Sequence, residues 1–236
     1  MALTDIRHLL LSHIHLDHAG AAGTIVREHP ELRVHVSEIG APHVADPERL
    51  EASARRLYGE AFDALWGELA PVPAGNIEIA GPRVAGLDCF PSPGHAAHHV
   101  CYLHEDGTLY AGDAAGVRIQ PGRYVMPVCP PPELDVEAWF RTFEEIERRQ
   151  PARIALIHFG VVDSPSEHLA IAREQLDVWA ERGRQGLDEE AWVAAARRDL
   201  EAAVGDEARY WERAAPLWQS YVGMKRYWDK KSEAAG

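Results

Sequence analysis

The chain has 236 residues, 46% of them apolar, and a formal charge of −13 at pH 7. This is enough for a well-buried core in one large domain, or in one domain with an appendage. The negative charge disfavours a protein that binds nucleic acid through its overall electrostatic field. The lack of any run of about 18 apolar residues disfavours a membrane span.

Three cysteines, Cys89, Cys101 and Cys129, lie far apart in the sequence. An odd number at wide spacings predicts reduced thiols rather than a disulfide framework. The first residues also lack the basic start and long apolar middle of a secretory signal. We therefore expect a cytoplasmic protein.

The first third of the chain alternates strands and helices. The continuous apolar run Leu9–Leu11 is typical of a strand covered on both faces, and Pro30 ends the helix that follows this strand. The predicted elements are a strand over 5–12, a helix over 19–29, a strand over 32–36 and helices over 47–58 and 60–69.

Short strands, a long loop and longer helices follow. Strands are predicted over 77–79, 84–90, 99–103, 108–111 and 153–157. Helices are predicted over 135–149, 164–182, 188–204 and 206–228. The Pro/Gly-rich segment 116–134 is a long loop, which in a compact domain is usually functional or disordered. The glycines of 183–186 mark a boundary, so we predict a main domain over 1–182 and a helical extension over 187–229 packed on it.

The segment Ser12–Gly20 concentrates side chains that can bind metal. It follows the apolar run of the first strand and contains His13, His15, Asp17 and His18. Residues two apart in an extended chain point the same way, so His13 and His15 can reach one metal ion. Asp17 and His18 follow a turn and can face a neighbouring ion.

Three further candidate ligands each follow a predicted strand. They are His95 after the strand ending at Phe90, Asp113 after the strand ending at Ala111, and His158 at the end of the strand over 153–157. Because strand ends at one edge of a sheet converge, these three side chains can meet the first cluster.

The ordered set His-x-His-x-Asp-His, Gly-His, Gly-Asp and His resembles the metallo-β-lactamase-fold hydrolase superfamily over roughly residues 3–182. The resemblance implies an α/β fold, an αββα sandwich with the metal ions at the sheet edge. It also implies two divalent ions, expected to be zinc, with iron and manganese as alternatives. Carried over by position, the first ion is held by His13, His15 and His95, the second by Asp17, His18 and His158, and Asp113 bridges them.

The implied function is hydrolysis by a metal-bridging hydroxide acting on a small ester, thioester or lactone-like substrate. Asp113 and Asp17 are the expected catalytic carboxylates, and Asp17 could orient or relay the proton of the nucleophile. Two alternatives stay open: a phosphodiesterase or nuclease of the same fold, and a truncated, non-catalytic metal-binding protein. A small molecule is the expected partner, with no nucleic acid and no membrane.

The sequence departs from the family at its start, because relatives usually carry several strands and a helix before the His-x-His-x-Asp-His strand. We therefore expect N-terminal strands to be missing and the apolar edge at Leu9–Leu11 to be exposed or covered by a second copy of the chain. Gly116 stands near the position where lactone-opening relatives often have a tyrosine, which weakens that substrate class.

The remaining histidines, loop side chains and tail aromatics have plainer interpretations. His98 and His99 are expected to support the ligands or to begin a strand rather than to bind metal. Four side chains of the long loop either line the pocket mouth or belong to a solvated loop: Arg118, Arg123, Tyr124 and Met126. The aromatic residues of the helical extension are interpreted as core. We interpret six other histidines as ordinary surface or core residues: His8, His29, His35, His43, His104 and His168.

Overall fold

The computed structural model describes residues 2–235, which fall into two compact units. The N-unit comprises the described part of Met1–Pro91 together with His98–Tyr102. The C-unit comprises Ser92–Ala97 and the described part of Leu103–Gly236. The predicted boundary between residues 182 and 187 is a different division of the chain, and it stays a prediction.

The N-unit contains a parallel three-stranded sheet and five helices. The strands are β1 (His8–Leu10), β2 (Arg33–Val36) and β3 (Ile77–Ile79), in the order β1-β2-β3. The helices are α1 (Leu16–Ala19), α2 (Ala22–Glu28), α3 (Ala41–Ala45), α4 (Glu48–Tyr58) and α5 (Phe62–Trp66).

One apolar cluster of the N-unit explains why its first strand is rich in leucine. Leu11, Val34 and Val36 are buried together with residues of α2, and Leu9 is partly buried against them. The strand is shorter than the predicted 5–12 and spans only His8–Leu10. It lies at the edge of the sheet, where His8 is exposed and Leu9 and Leu10 are half-buried. Leu11, directly after the strand, is almost fully buried.

The prediction of one strand over 84–90 was wrong. The chain forms a hairpin of β4 (Arg83–Val84) and β5 (Leu87–Pro91), with Val84 paired to Leu87. The two turn residues between them, Ala85 and Gly86, both have positive φ, at 47° and 91°. Two central residues with positive φ are the signature of the tight turn whose twist matches a hairpin.

The sheet strand β6 (Val100–Leu103) follows β5 in strand order, and its last residue belongs to the C-unit. In the C-unit, β7 (Thr108–Tyr110) pairs in parallel with β8 (Arg153–Leu156), and β8 pairs antiparallel with β9 (Gly160–Val162). Strand β9 was not predicted from the sequence. In the turn before β7, the Gly107 N–H donates to the carbonyl of His104.

Five helices complete the C-unit: α6 (Val136–Arg149), α7 (Pro165–Arg184), α8 (Glu189–Val204), α9 (Ala208–Ala214) and α10 (Leu217–Ala235). The carboxylate of Asp135 caps α6 by accepting the Ala138 N–H at 2.9 Å, as aspartate often does at the start of a helix. The single helix predicted over 206–228 was wrong, because the chain breaks before Pro216. Ala215 takes an extended backbone there (φ −143°, ψ 90°), as residues before proline prefer.

The C-terminal helices pack inside the C-unit through aromatic side chains. Trp179 of α7 and Trp192 of α8 meet edge to face at 5.1 Å, and both are fully buried. Gly223 of α10 lies so close to the loop at Cys129 that a Cβ there would be 1.9 Å from the Cys129 carbonyl oxygen. The interpretation of the tail aromatics as core holds only in part, because two of them are exposed: Tyr210 and Trp218.

The loop 116–134 is ordered by its own buried residues. Val117 pairs with Met126 in an isolated bridge, and both side chains are buried. Tyr124 is also buried and packs edge to face on Trp211 at 5.4 Å. Tyr124 and Met126 therefore belong to the core of the C-unit, whereas Arg123 is exposed and pairs with Glu167.

Two further observations concern the cysteines and the hydrophobicity of the helices. Cys89, Cys101 and Cys129 are buried and free of disulfides. Across residues 2–235, no helix combines the length and the apolar character that crossing a bilayer requires.

Candidate metal centre

The N-unit brings His13 and His15 together directly after β1. The Nε2 atom of His13 lies 3.0 Å from Nδ1 of His15, and the two rings meet edge to face at 4.6 Å. His13 is fully buried, and the Ser12 hydroxyl lies 3.1 Å from its other nitrogen, Nδ1. The predicted side-by-side placement of these two alternate residues is therefore present.

Asp17 and His18 lie on the first turn of α1, which begins right after His15. The Oδ2 atom of Asp17 is 3.2 Å from Nε2 of His18, and the His13 and His18 rings lie 4.0 Å apart. The His18 side chain is buried, whereas that of Asp17 is 46% exposed. Four donors from a six-residue segment thus form one cluster, in which Asp17 is the member open to solvent.

His98 and His99 contact this cluster, which fits the first of the two roles expected of them. The Nδ1 atom of His98 accepts the backbone N–H of Ile14 at 3.3 Å, between the two candidate ligands His13 and His15. The carbonyl of His98 accepts the Ser37 hydroxyl at 2.7 Å. The ring of His99 stacks on that of His13 at 4.9 Å. These contacts fix the backbone and one ring of the cluster.

In the C-unit, Asp113 lies between two imidazoles. Its Oδ2 is 3.4 Å from Nε2 of His95, and its Oδ1 is 3.4 Å from Nε2 of His158. Asp113 and His95 are almost fully buried, at 3% and 1% exposure. The three strand-end side chains selected from the sequence therefore lie together, with the buried carboxylate between the two imidazoles.

The orientation of His95 is set by a backbone carbonyl. Its Nδ1 lies 2.7 Å from the carbonyl oxygen of Val128, and since a carbonyl only accepts, Nδ1 must carry the proton. A neutral His95 then turns the lone pair of Nε2 towards the Asp113 carboxylate. Two acceptors that face each other in a buried site are stabilised by a cation held between them.

Trp139 was not selected from the sequence, and Gly94 was selected only as part of the Gly-His motif, yet both touch this half of the centre. The Trp139 ring packs edge to face on His95 at 5.7 Å, and its indole N–H donates to the carbonyl of Ala114 at 2.7 Å. Gly94 has φ +139°, and a Cβ there would lie 2.3 Å from Cβ of Trp139. A tryptophan on an amphipathic helix indicates only core packing. The one sequence feature that could have suggested a role beside the metal centre is the position of Trp139, three residues after the first residue of α6.

The donor chemistry in each half fits a divalent transition metal. Imidazole nitrogens and carboxylate oxygens are the ligands that zinc, iron and manganese accept in proteins. The N-unit offers three imidazoles and a carboxylate, and the C-unit offers two imidazoles and a carboxylate. Each half on its own has the composition of a metal site.

Comparison with known proteins agrees with this interpretation of the sequence. The model of the metallo-beta-lactamase superfamily matches residues 2–158. The curated metallo-beta-lactamase fold-containing protein ST1585 of Sulfurisphaera tokodaii is 24% identical over 190 residues, covering 75% of this chain and 70% of that protein. Its crystal structure superposes with a TM-score of 0.59 at 23% identity, covering 73% of this chain and 67% of that chain.

A second solved structure covers nearly the whole chain. The metallo-beta-lactamase family protein TTHA1429 from Thermus thermophilus superposes with a TM-score of 0.68 at 18% identity, over 98% of this chain and 77% of that chain. An atrochrysone carboxyl ACP thioesterase of Pseudocercospora fijiensis is 26% identical over 110 residues, which cover 46% of this chain and 25% of that protein.

The chain belongs to the metallo-β-lactamase superfamily, because the family model spans most of its length. The α/β fold with C-terminal helices is confirmed. The superfamily is generally hydrolytic and binds divalent metal ions.

Proposed function

We propose that the chain is a metal-dependent hydrolase of a small ester, thioester or lactone-like substrate. In this proposal the two halves of the centre act together on two divalent ions, with zinc as the expected metal. The observation that carries it is the buried carboxylate of Asp113, whose two oxygens each face an imidazole nitrogen at 3.4 Å. One carboxylate that offers one oxygen to each side is suited to bridging two cations.

The ligand assignment follows the order of the family motif. His13, His15 and His95 would hold the first ion, and Asp17, His18 and His158 would hold the second. Asp113 would bridge them. The short His13–His15 and Asp17–His18 distances within the N-unit fit the part of this assignment in which each pair shares one ion.

The bound ions would supply an activated water and a positive charge for the developing oxyanion. The protein's own groups have distinct tasks. The Val128 carbonyl and Trp139 hold His95 in one tautomer and one orientation. Asp17, with its exposed carboxylate, can accept a hydrogen bond from the incoming water and take its proton.

Two observations favour a small acyl substrate over nucleic acid. The net charge of −13 provides no general attraction for a phosphate backbone. A thioesterase is among the relatives, although the match covers only part of both chains. The absence of a disulfide among the described cysteines supports the proposed cytoplasmic location.

The test is a substrate panel with metal-stripped and zinc-reloaded protein. The panel contains an ester, a thioester, a lactone and a phosphodiester, each measured with wild type, Asp113→Asn and Asp88→Asn. Asp88 is an exposed carboxylate paired with Arg83 on the β4–β5 hairpin, so its variant is a matched control.

We expect zinc-dependent turnover of one acyl substrate in wild type and Asp88→Asn, and loss of it in Asp113→Asn. Turnover of the phosphodiester alone would favour the nuclease alternative. Full zinc loading without turnover of any substrate would favour the non-catalytic alternative.

A further inference from the structure

A second histidine pair lies on the three-stranded sheet of the N-unit, and neither histidine belongs to the family motif. Nδ1 of His8, on β1, is 2.8 Å from Nε2 of His35, on the adjacent strand β2. The ring centroids are 5.0 Å apart. This nitrogen–nitrogen distance is close to the 3.0 Å between His13 and His15, the pair in the proposed catalytic centre.

A carboxylate from the third strand faces the other side of His35. Oε2 of Glu78 is 3.5 Å from Nδ1 of His35, and the two residues are register partners on β2 and β3. The three side chains therefore form a row across the sheet, in the order His8, His35, Glu78. A carboxylate on one imidazole nitrogen fixes the tautomer that leaves the other nitrogen as a metal ligand.

We propose that His8 and His35 form a separate binding site for a divalent transition-metal ion such as Zn²⁺ or Ni²⁺, with Glu78 orienting His35. His8 and His35 supply two nitrogen ligands, and water completes the coordination. Zinc–nitrogen bonds of about 2.0–2.1 Å require coordinating nitrogens roughly 3.3 Å apart at a tetrahedral angle. A shift of about half an ångström at the exposed His8 reaches that spacing.

Burial and charge around the pair are consistent with cation binding. His35 is 5% exposed whereas His8 is exposed, so one ligand is rigid and the other is open to an entering ion. Burial lowers the pKa of His35, which keeps its imidazole in the neutral form that binds metal. A nearby cationic side chain is that of Arg33. Its guanidinium lies 3.7 Å from the Glu78 carboxylate and donates a hydrogen bond to the Gly75 carbonyl.

The site differs in kind from another histidine–carboxylate contact at a strand end. His104 lies 3.0 Å from Asp106, but its side chain is 43% exposed. Within residues 2–235, no second imidazole contacts it. His104→Ala is therefore the matched control for His8→Ala, since each removes one exposed histidine from a strand or its end.

The experiment measures Zn²⁺ uptake by equilibrium dialysis over a series of buffered free-zinc concentrations. Wild type and His104→Ala are expected to bind one ion more than His8→Ala, in a weaker phase of the isotherm. Glu78→Gln is expected to weaken that phase about 10-fold, as loss of an orienting carboxylate does. Identical isotherms for wild type and His8→Ala would overturn the proposal, and an unchanged weak phase in Glu78→Gln would overturn the role given to Glu78.

This test is independent of the proposed function. The difference in zinc uptake between wild type and His8→Ala is measured in the weak phase of the isotherm, whether or not zinc binds at the proposed catalytic centre. Loss of the strong phase in Asp113→Asn reports on the proposed hydrolase centre instead. Circular dichroism of His8→Ala checks that the exposed substitution leaves the fold intact.

Discussion

The indole N–H of Trp139 donates a 2.7 Å hydrogen bond to the carbonyl of Ala114, the residue that follows Asp113. The same ring packs on His95. One side chain thus links the loop of His95 to the loop of Asp113, which are 18 residues apart in sequence. We regard Trp139 as a positioning residue for the C-unit half of the metal centre.

Trp139→Phe keeps an aromatic ring near His95 but leaves the buried Ala114 carbonyl without its donor. We expect a loss of about 1–3 kcal/mol in the free energy of unfolding and about 10-fold weaker zinc binding. Chemical denaturation and zinc competition titration measure the two effects. Trp218→Phe, at a partly exposed position of α10, is the control. A variant that loses stability but keeps wild-type zinc affinity would show that Trp139 serves the core alone.

Gly94→Ala should be more damaging than an ordinary glycine substitution. Gly94 has φ +139°, and an added Cβ would lie 2.3 Å from the Trp139 side chain. We expect a loss of several kcal/mol, on the scale of backbone strain plus overpacking, seen as a large drop in Tm. Gly81→Ala, where nothing lies within 4 Å of the added Cβ, should leave Tm nearly unchanged. Equal Tm values for the two variants would contradict this account.

The seven candidate ligands were accessible to sequence reasoning because each follows a strand and their order matches a family motif. Trp139 was not, because its role depends on a loop carbonyl that no local pattern marks. The hairpin at Ala85–Gly86 was missed because alanine rarely adopts positive φ. Pro216 was a visible signal for the break between α9 and α10, because the residue before a proline avoids the helical conformation.

Gly223→Ala tests the packing of the C-terminal helices on the loop. In an exposed helix interior, glycine to alanine stabilises by roughly 0.5–1 kcal/mol. At Gly223 the added Cβ would meet the Cys129 carbonyl at 1.9 Å, beside the hydrogen bond from the Cys129 N–H to the Ser220 hydroxyl. We therefore expect the opposite sign, a loss of about 3 kcal/mol or more, measured by urea denaturation. A stabilised variant would mean that α10 is not held against the loop.

His168 should make stability depend on pH in the acid range. It is fully buried, and burial lowers its pKa from 6.5 to about 4 while the Ala115 carbonyl lies 2.8 Å from its Nε2. Between these pKa values the unfolded chain binds more protons than the folded chain. The free energy of unfolding therefore falls as the pH falls from about 6.5 to about 4.

His168→Gln retains a donor for the Ala115 carbonyl but does not titrate. Urea denaturation from pH 7 to pH 4 should show a shallower loss of stability for this variant than for wild type. The difference in slope should lie within the pH window between the two pKa values. Parallel curves for the two proteins would show that His168 does not contribute.

We propose that the histidine and aspartate side chains of the two halves together hold two metal ions. Anomalous diffraction at the zinc absorption edge, from crystals of the zinc-loaded protein, tests it most directly. We predict two strong peaks, one bounded by His13, His15 and His95 and the other by Asp17, His18 and His158, with Asp113 in contact with both. Well-ordered crystals of loaded protein with no peak at these side chains would contradict the account.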